Sequence, residues 1–207
     1  MTLRMSAGKK SVLFILIILV ADQILKIWVK THMVIGEEIH FLGERGMLHF
    51  IENNGMAFGM EMGGRPGKLI LSVFRIIAII GIGWYLTTLI RKKANIGFIL
   101  AVSAIMAGAI GNIIDSAFYG MIFGDSYGQP AVLFPSGGGY SSFLHGRVVD
   151  MFYFPIINTH WPVWSPIKAG QSFVFFRPVF NLSDSAITCG VFSILLFQKR
   201  MFRDLPA

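Results

Sequence analysis

The chain has 207 residues, of which 54% are hydrophobic and only 14% charged, with a mean hydropathy of +0.65. That balance excludes ordinary soluble, disordered and fibrous classes and points to a membrane protein. The net charge of +7 would suit nucleic acid only if Lys and Arg gathered on one folded face, but here they flank apolar runs, so the expected partners are membrane lipids and no nucleic acid.

A bilayer core takes about 20 apolar residues of helix, and four stretches qualify, at about 11–31, 69–90, 96–118 and 179–197. The reading is an all-α integral membrane protein, a single polytopic domain over 1–207 with four transmembrane helices and a small extracytoplasmic β-hairpin or cradle over about 36–62. Lys9-Lys10 before the first stretch resembles the start of a cleaved signal peptide. No small-x-small cleavage pattern follows, and the helical pattern continues through Asp22, Gln23 and Lys26 to Trp28.

Basic residues near span ends set orientation. Arg4, Lys9 and Lys10 precede the first span, Arg91-Lys92-Lys93 separate the second and third, and Lys199, Arg200 and Arg203 follow the fourth. Those clusters share one side, with nine basic residues and one acid, Asp204, against nine basic residues and ten acids elsewhere. Both termini are therefore expected in the cytoplasm, and the connections 32–68 and 119–178 outside.

In the first connection, Ile39-His40-Phe41 and Met47-Leu48-His49-Phe50-Ile51 flank the turn-rich Gly43-Glu44-Arg45-Gly46, which predicts a short hairpin. It leads into Glu52-Asn53-Asn54-Gly55-Met56-Ala57-Phe58-Gly59 at the membrane surface. The second connection opens with a Gly/Ser/aromatic insertion, about 119–146, expected to be exposed and mobile. Beyond it, Phe152-Tyr153-Phe154-Pro155 and Trp161-Pro162-Val163-Trp164-Ser165-Pro166 are too broken by proline to span, and their Trp and Tyr suit the headgroup layer.

An ionisable residue at the centre of a span costs about 2.5–3.5 kcal/mol on insertion scales, so each needs a partner or a purpose. Asp22 and Lys26, four apart, can pair along the first helix and read as structural. Asn112 and Asp115 share a face of the third span beneath Gly108 and Gly111, and Ala104/Gly108 and Ala107/Gly111 have the small-xxx-small spacing of close helix approach. Asn181 and Asp184 repeat that spacing at the start of the fourth span. In Gly146-Arg147-Val148-Val149-Asp150-Met151-Phe152 a carboxylate sits among hydrophobic residues at the outer interface. Asp115, Asp150 and Asp184 thus converge on one leaflet, and crowded buried carboxylates that share a proton supply a general base and a general acid together.

Residue types leave three classes open: a membrane aspartic hydrolase, a small carboxylate-dependent carrier or channel, and a noncatalytic assembly factor. A serine intramembrane protease fits poorly, because His32, His40, His49, His145 and His160 all lie outside the spans. No His-Glu-x-x-His occurs, so the common zinc-protease pattern is missing. A carrier site is expected near the midplane, often with inverted repeats, and no convincing repeat is visible.

Taken in order, the motifs resemble lipoprotein signal peptidase, the signal peptidase II family. Asp22-Gln23-x-x-Lys26 resembles its first-helix signature, and Asn53-Asn54-Gly55-Met56-Ala57-Phe58 its Asn-x-Gly-x-Ala-Phe segment. Gly111-Asn112-x-x-Asp115 resembles Gly-Asn-x-x-Asp-Arg. Val148-Val149-Asp150-Met151 and Phe180-Asn181-Leu182-Ser183-Asp184-Ser185 resemble the segments that hold the family's catalytic pair. The resemblance implies an aspartic endopeptidase of the bacterial inner membrane, with Asp150 and Asp184 catalytic and the active site at the outer leaflet. It implies Asn53, Asn54, Gly55, Asn112, Asp115 and Asn181 as substrate-binding candidates, to which position alone adds Arg147, and no metal or organic cofactor. The implied substrate is a prolipoprotein whose Cys already bears diacylglycerol, cut just before that Cys, and globomycin is an inhibitor of the family. Two features depart from the pattern. The Arg after the third-span Asp is Ser116 here, and the insertion lengthens the step to Asp150, so Arg147 is a candidate to replace that Arg or else a headgroup anchor.

Overall fold

The computed structural model describes residues 5–54, 64–155, 157–160, 164, 170, 172–175 and 178–203. Helix α1 (Ala7–His32) starts at Ser6, whose hydroxyl accepts the Lys9 N–H and so takes up one of the donors that a helix start leaves unpaired. It buries Ser11, Asp22, Lys26, Val29 and Lys30 while Val12, Leu16, Ile17, Val20 and Ile24 face outward. Helix α2 (Gly64–Arg91) does the same, burying Lys68, Ser72, Leu86 and Leu89 and exposing Ile70, Phe74, Ile77, Ile80 and Trp84. A water-soluble helix turns its apolar stripe inward. Polar residues inside and apolar residues outside are what hydrocarbon favours.

Helix α3 (Ile96–Ile114) is capped by Asn95, whose side chain accepts from Gly97 N. It continues through a π-helical turn, Asp115–Tyr119, and one short turn, α4 (Gly120–Ile122). It is the central helix: 56% of its apolar window is buried, against 17% for α1 and 11% for α2. Among the described residues, these three helices, 7–32, 64–91 and 96–122, are long and apolar enough to cross a membrane.

The expected fourth span begins later than its hydrophobicity suggests. Val179-Phe180 form a strand, Asn181 is a helix cap, and α5 runs Leu182–Phe202. It has 21 residues, about 31 Å at 1.5 Å per residue, but Asp184 at one end and Gln198-Lys199-Arg200 at the other dilute its apolar centre, and it is not among the three. The glycines set how closely it packs on α3. A Cβ on Gly108 would lie 2.2 Å from the Ser183 carbonyl oxygen, one on Gly111 2.0 Å from Ser183 Oγ, and one on Gly190 2.7 Å from the Ala101 oxygen. Only hydrogen at these positions lets the two backbones meet.

The sheet order is β1-β2-β3-β6, antiparallel throughout, from β1 (Glu38–His40), β2 (Met47–Asn53), β3 (Val148–Tyr153) and β6 (Val179–Phe180). The first two strands form a hairpin across Gly43, whose φ of 53° suits a residue without a Cβ. The hydrophobic residues around Asp150, read as an interface segment in the sequence, are a strand inside this sheet, with Val148, Val149, Asp150 and Met151 all buried. Asp150 lies opposite Ile51 of β2, next to a register shift between Leu48 and Ile51. Strands β4 (Ile157–His160) and β5 (Ser172–Phe175) pair separately. Residues 161–163 and 165–169 of the proline-broken aromatic segment, like 55–63 after the hairpin, lie outside the described residues; Trp164 is exposed.

The insertion is not simply exposed. Phe123, Ser126 and Ala131 are buried, and Tyr119, Phe123 and Ala131 form one hydrophobic cluster with Val29, Met33, Phe50, Val149 and Met151. Its backbone is bonded back to the helices: Ala131 N to Lys30 O at 2.9 Å, Ser141 N to Gly120 O at 2.8 Å and Gly146 N to Ser116 O at 2.8 Å. Gly139 lies so close that a Cβ would be 2.2 Å from Gly120 O. The glycines that suggested mobility permit this close layering, while Tyr127, Val132, Phe134 and Phe143 remain on the outside. A second hydrophobic cluster, with Leu86, Leu89, Ala94, Phe98 and Met201, closes the opposite end of the bundle, where the basic residues 91–93, Lys199 and Arg200 lie. Sheet and basic clusters therefore occupy opposite ends.

Candidate active site

Five elements meet where the helices join the sheet. Helix α1 presents Asp22, Gln23 and Lys26; the end of α3 presents Asn112 and, at its π turn, Asp115; β2 presents Asn53; β3 presents Asp150; and the start of α5 presents Asn181 and Asp184. A π turn is a frequent feature of functional sites.

Lys26 is the hub. It is fully buried, and its ammonium lies 3.0 Å from Asp22 Oδ2, 2.8 Å from Asp115 Oδ2 and 3.1 Å from Asn112 Oδ1, which engages all three of its protons. Each acid then holds a second element. Asp22 Oδ1 accepts from Ser183 N of α5 at 2.9 Å, and Asp115 Oδ2 accepts from Val149 N of β3 at 3.2 Å. Gln23 donates to Asp22 and to Asp115, and its oxygen accepts from the Tyr119 hydroxyl at 3.0 Å. The Asp22/Lys26 pair is thus a brace tying the helix carrying Asp184 and the strand carrying Asp150 to α1.

Two asparagines link the other carboxylates. Asn181 Nδ2 donates to Asp150 Oδ1 at 2.7 Å and to Asn112 Oδ1 at 3.0 Å, and Asn112 Nδ2 donates to Asp184 Oδ1 at 2.8 Å. Asn53 donates to the second oxygen of Asp150. Asn181 and Asp184 also form a capping box: Asp184 N donates to Asn181 Oδ1 at 2.9 Å and Asn181 N to Asp184 Oδ2 at 3.3 Å. The spacing that looked like a repeat of Asn112 and Asp115 is therefore a helix start. Burial, and after it the charge of Asp184, raise the Asp150 carboxyl to about 8 against the opposing Asn181 bond, Lys26 charge and Asn53 bond. A carboxyl that keeps its proton near neutrality beside a second carboxyl can donate while its neighbour accepts.

Asn54 lies beside this group and accepts from Lys68 Nζ of α2 at 3.0 Å; Gly55 is outside the described residues. Arg147 is not brought to Ser116. Its neighbour Gly146 reaches the Ser116 carbonyl, but the guanidinium turns away to Glu52 at 2.8 Å and Asp125 at 3.2 Å and lies over the Tyr140 ring at 4.4 Å. There it joins a second buried cluster in which Lys30 pairs with Glu52 and donates to Ser126 Oγ at 2.8 Å. Burial lifts the Tyr140 hydroxyl well above the usual tyrosine range. It opposes the charge on Arg147, but the Glu52 and Asp125 carboxylates outweigh it.

Sequence reasoning missed Lys30, at the edge of the first assigned span, Glu52, inside the first connection, and Arg75, a cation in the middle of the second span. The rule that flagged Asp115 applies equally to Arg75. Its electrostatic neighbours are Asp184, Asp115 and Asp150.

The family model described as signal peptidase (SPase) II matches residues 14–200. A lipoprotein signal peptidase of Porphyromonas gingivalis is 50% identical over 198 residues, covering 95% of this chain and 86% of the relative. One from Amoebophilus asiaticus is 38% identical over 195 residues, covering 92% and 78%. A solved chain described as a bacterial membrane enzyme, determined by the in meso method at 1.9 Å resolution, aligns with a TM-score of 0.59 at 24% identity, covering 92% of each chain. That last likeness concerns the fold alone.

Proposed function

The chain belongs to the signal peptidase II family, and from that premise we propose that it is an aspartic endopeptidase removing the signal peptide from diacylglyceryl-modified prolipoproteins just before the lipid-bearing Cys. The observation that carries the catalytic type is the pair Asp150 and Asp184, joined through Asn181 and Asn112, with Asp150 raised to about 8. Asp184 takes a proton from a water as it attacks the scissile carbonyl, and Asp150 donates its proton to the carbonyl oxygen. The dyad titrates as a unit, so its apparent pKa values belong to the pair. Asn53 and Asn181 orient Asp150, Asn112 orients Asp184, and Asp22, Lys26 and Asp115 hold the two elements in register. Asn54 and Arg147 lie toward the hairpin and insertion, the side from which a substrate backbone approaches, and Gly55 is a binding candidate on the family resemblance alone.

The exposed Val191, Phe192, Leu195 and Leu196 of α5 support its reading as the fourth span of the bundle. The basic clusters support a reading with that end and both termini in the cytoplasm and the carboxylates at the outer leaflet of the bacterial inner membrane. A diacylglyceryl Cys anchored there brings its peptide bond to the dyad without leaving the bilayer. The carrier alternative finds no support among the relatives. Purified protein in detergent, given a diacylglyceryl-modified prolipoprotein and read by gel shift with and without globomycin, should show cleavage that the inhibitor blocks. A carrier would leave the substrate whole.

A further inference from the structure

One side of α2 carries the exposed Arg65, the buried Lys68 and Ser72, and Arg75, at steps of three, four and three residues that a 3.6-residue period places together. Its outer members already touch the site's surroundings: Arg65 Nη2 donates to Ser142 Oγ at 3.4 Å, Lys68 to Asn54 Oδ1 at 3.0 Å and Ser72 Oγ to the Leu144 carbonyl at 3.2 Å. Arg75 lies seven residues past Lys68, about 10 Å further along the axis, and is half-buried between the exposed Phe74 and Ile77. The site holds four carboxylates, Asp22 on α1, Asp115 on the π turn, Asp150 on β3 and Asp184 on α5. Among the described residues, Lys26 is the ammonium that pairs with two of them, Asp22 and Asp115. The charges that Arg75 faces are Asp184, Asp115 and Asp150.

We propose that Arg75 is the second cation of the site, a positioning residue that offsets the joint charge of Asp150 and Asp184 from α2 and supplies the positive charge that Ser116 does not. Arg147 is not available for this role, because its guanidinium is bound to Glu52 and Asp125. The proposal rests on the dyad reading given above. A cation beside a shared-proton pair favours its ionised forms, so removing that cation raises both apparent pKa values of the pair.

The test is the pH profile of kcat/KM on a diacylglyceryl-modified prolipoprotein, measured for detergent-purified wild type, Arg75→Gln and Arg75→Lys. Arg75→Gln should move both limbs of the bell upward by about 1 pH unit, and Arg75→Lys, which keeps the charge, should leave them in place. An Arg75 that merely packs the helix would lower the rate at every pH without moving the limbs. An unmoved profile in Arg75→Gln therefore overturns the proposal. If Arg75→Gln does not fold, as judged by gel filtration and thermal melting, Arg75→Met, which keeps the length of the side chain without its charge, is profiled in its place: limbs moved upward support the proposal and unmoved limbs overturn it. Asp150→Asn and Asp184→Asn serve as the control. Cleavage surviving in either refutes the dyad reading and this proposal with it, whereas two dead controls beside an unmoved Arg75→Gln profile refute only the role of Arg75.

Discussion

Replacing Lys26 by Met tests the brace. The ammonium is fully buried and shared by Asp22, Asp115 and Asn112 at 3.0, 2.8 and 3.1 Å, so Met fills the space but leaves two carboxylates facing each other in a dry interior. Breaking a buried ion pair by removing one partner costs about 3–5 kcal/mol. At roughly 2–4 °C per kcal/mol for a chain of this size, the melting temperature in detergent should fall by roughly 6–20 °C. Activity should fall as well at temperatures where the variant is still folded. Asp22 and Asp115 hold Ser183 N and Val149 N, and through them the elements that carry Asp184 and Asp150. Adding Asp115→Asn to Lys26→Met removes one stranded charge and should recover part of the lost stability without recovering turnover. A folded Lys26→Met with wild-type melting and wild-type cleavage would refute the brace.

Asp150→Asn and Asp184→Asn should each lower cleavage at least ~100-fold while membrane insertion, read by alkali extraction, is unchanged. Because the folded Asp150 carboxyl holds its proton up to about 8 and an unfolded one releases it near pH ~4, the folded chain binds the extra proton across that window. Wild-type stability should thus decline as pH rises from ~4 to ~8, and Asp150→Asn should melt higher than wild type at pH ~8 by more than at pH ~5. Gly111→Ala, whose methyl would sit 2.0 Å from Ser183 Oγ and 2.8 Å from Asp22 Oδ2, should push α5 away, costing about 1–3 kcal/mol and most of the cleavage. Deleting 124–141 strips Ser126, Ala131 and Tyr140 from around Lys30 and Arg147, so it should destabilise the protein markedly, which a melting curve checks; an unchanged melt would mean the insertion is an accessory loop. A reporter active only outside the cytoplasm should work when fused near Gly138 and fail when fused at 91–93.

The hairpin, the close helix approach along one face of α3 and the Asp22/Lys26 pairing could all be read in the sequence, because each is written locally: alternation around a Gly-rich turn, small residues at four-residue spacing, opposite charges at i and i+4. The position of Asp150 on a paired strand could not, since Val148–Tyr153 becomes a strand only when β2 and β6 arrive from nearly 100 residues before and about 30 after. The start of α5 was placed at Val179 because hydropathy cannot separate a last strand residue from a first helix residue; the Asn181/Asp184 capping box, a local pattern, was the signal that could have corrected it. The packing of the insertion is not legible in its composition, because Gly and Ser dominate it while Phe123, Ala131 and Tyr140, which decide its packing, are spread through it singly.

One face of α1 explains why these parts belong together. Asp22, Lys26 and Lys30 recur every four residues, a single stripe along the helix, and each step engages a different part of the molecule. Asp22 holds the start of α5, Lys26 the π turn after α3, and Lys30 the sheet through Glu52 and the insertion through Ser126. The carbonyl of Lys30 also accepts from Ala131 N. In a bilayer no water can stand in for a missing partner, so each polar side chain on that stripe confines its partner to one height along α1. The carboxylates of Asp150 and Asp184 come from elements that share no local sequence. They meet because both elements are tied, through Asp115 and Asp22, to the same lysine.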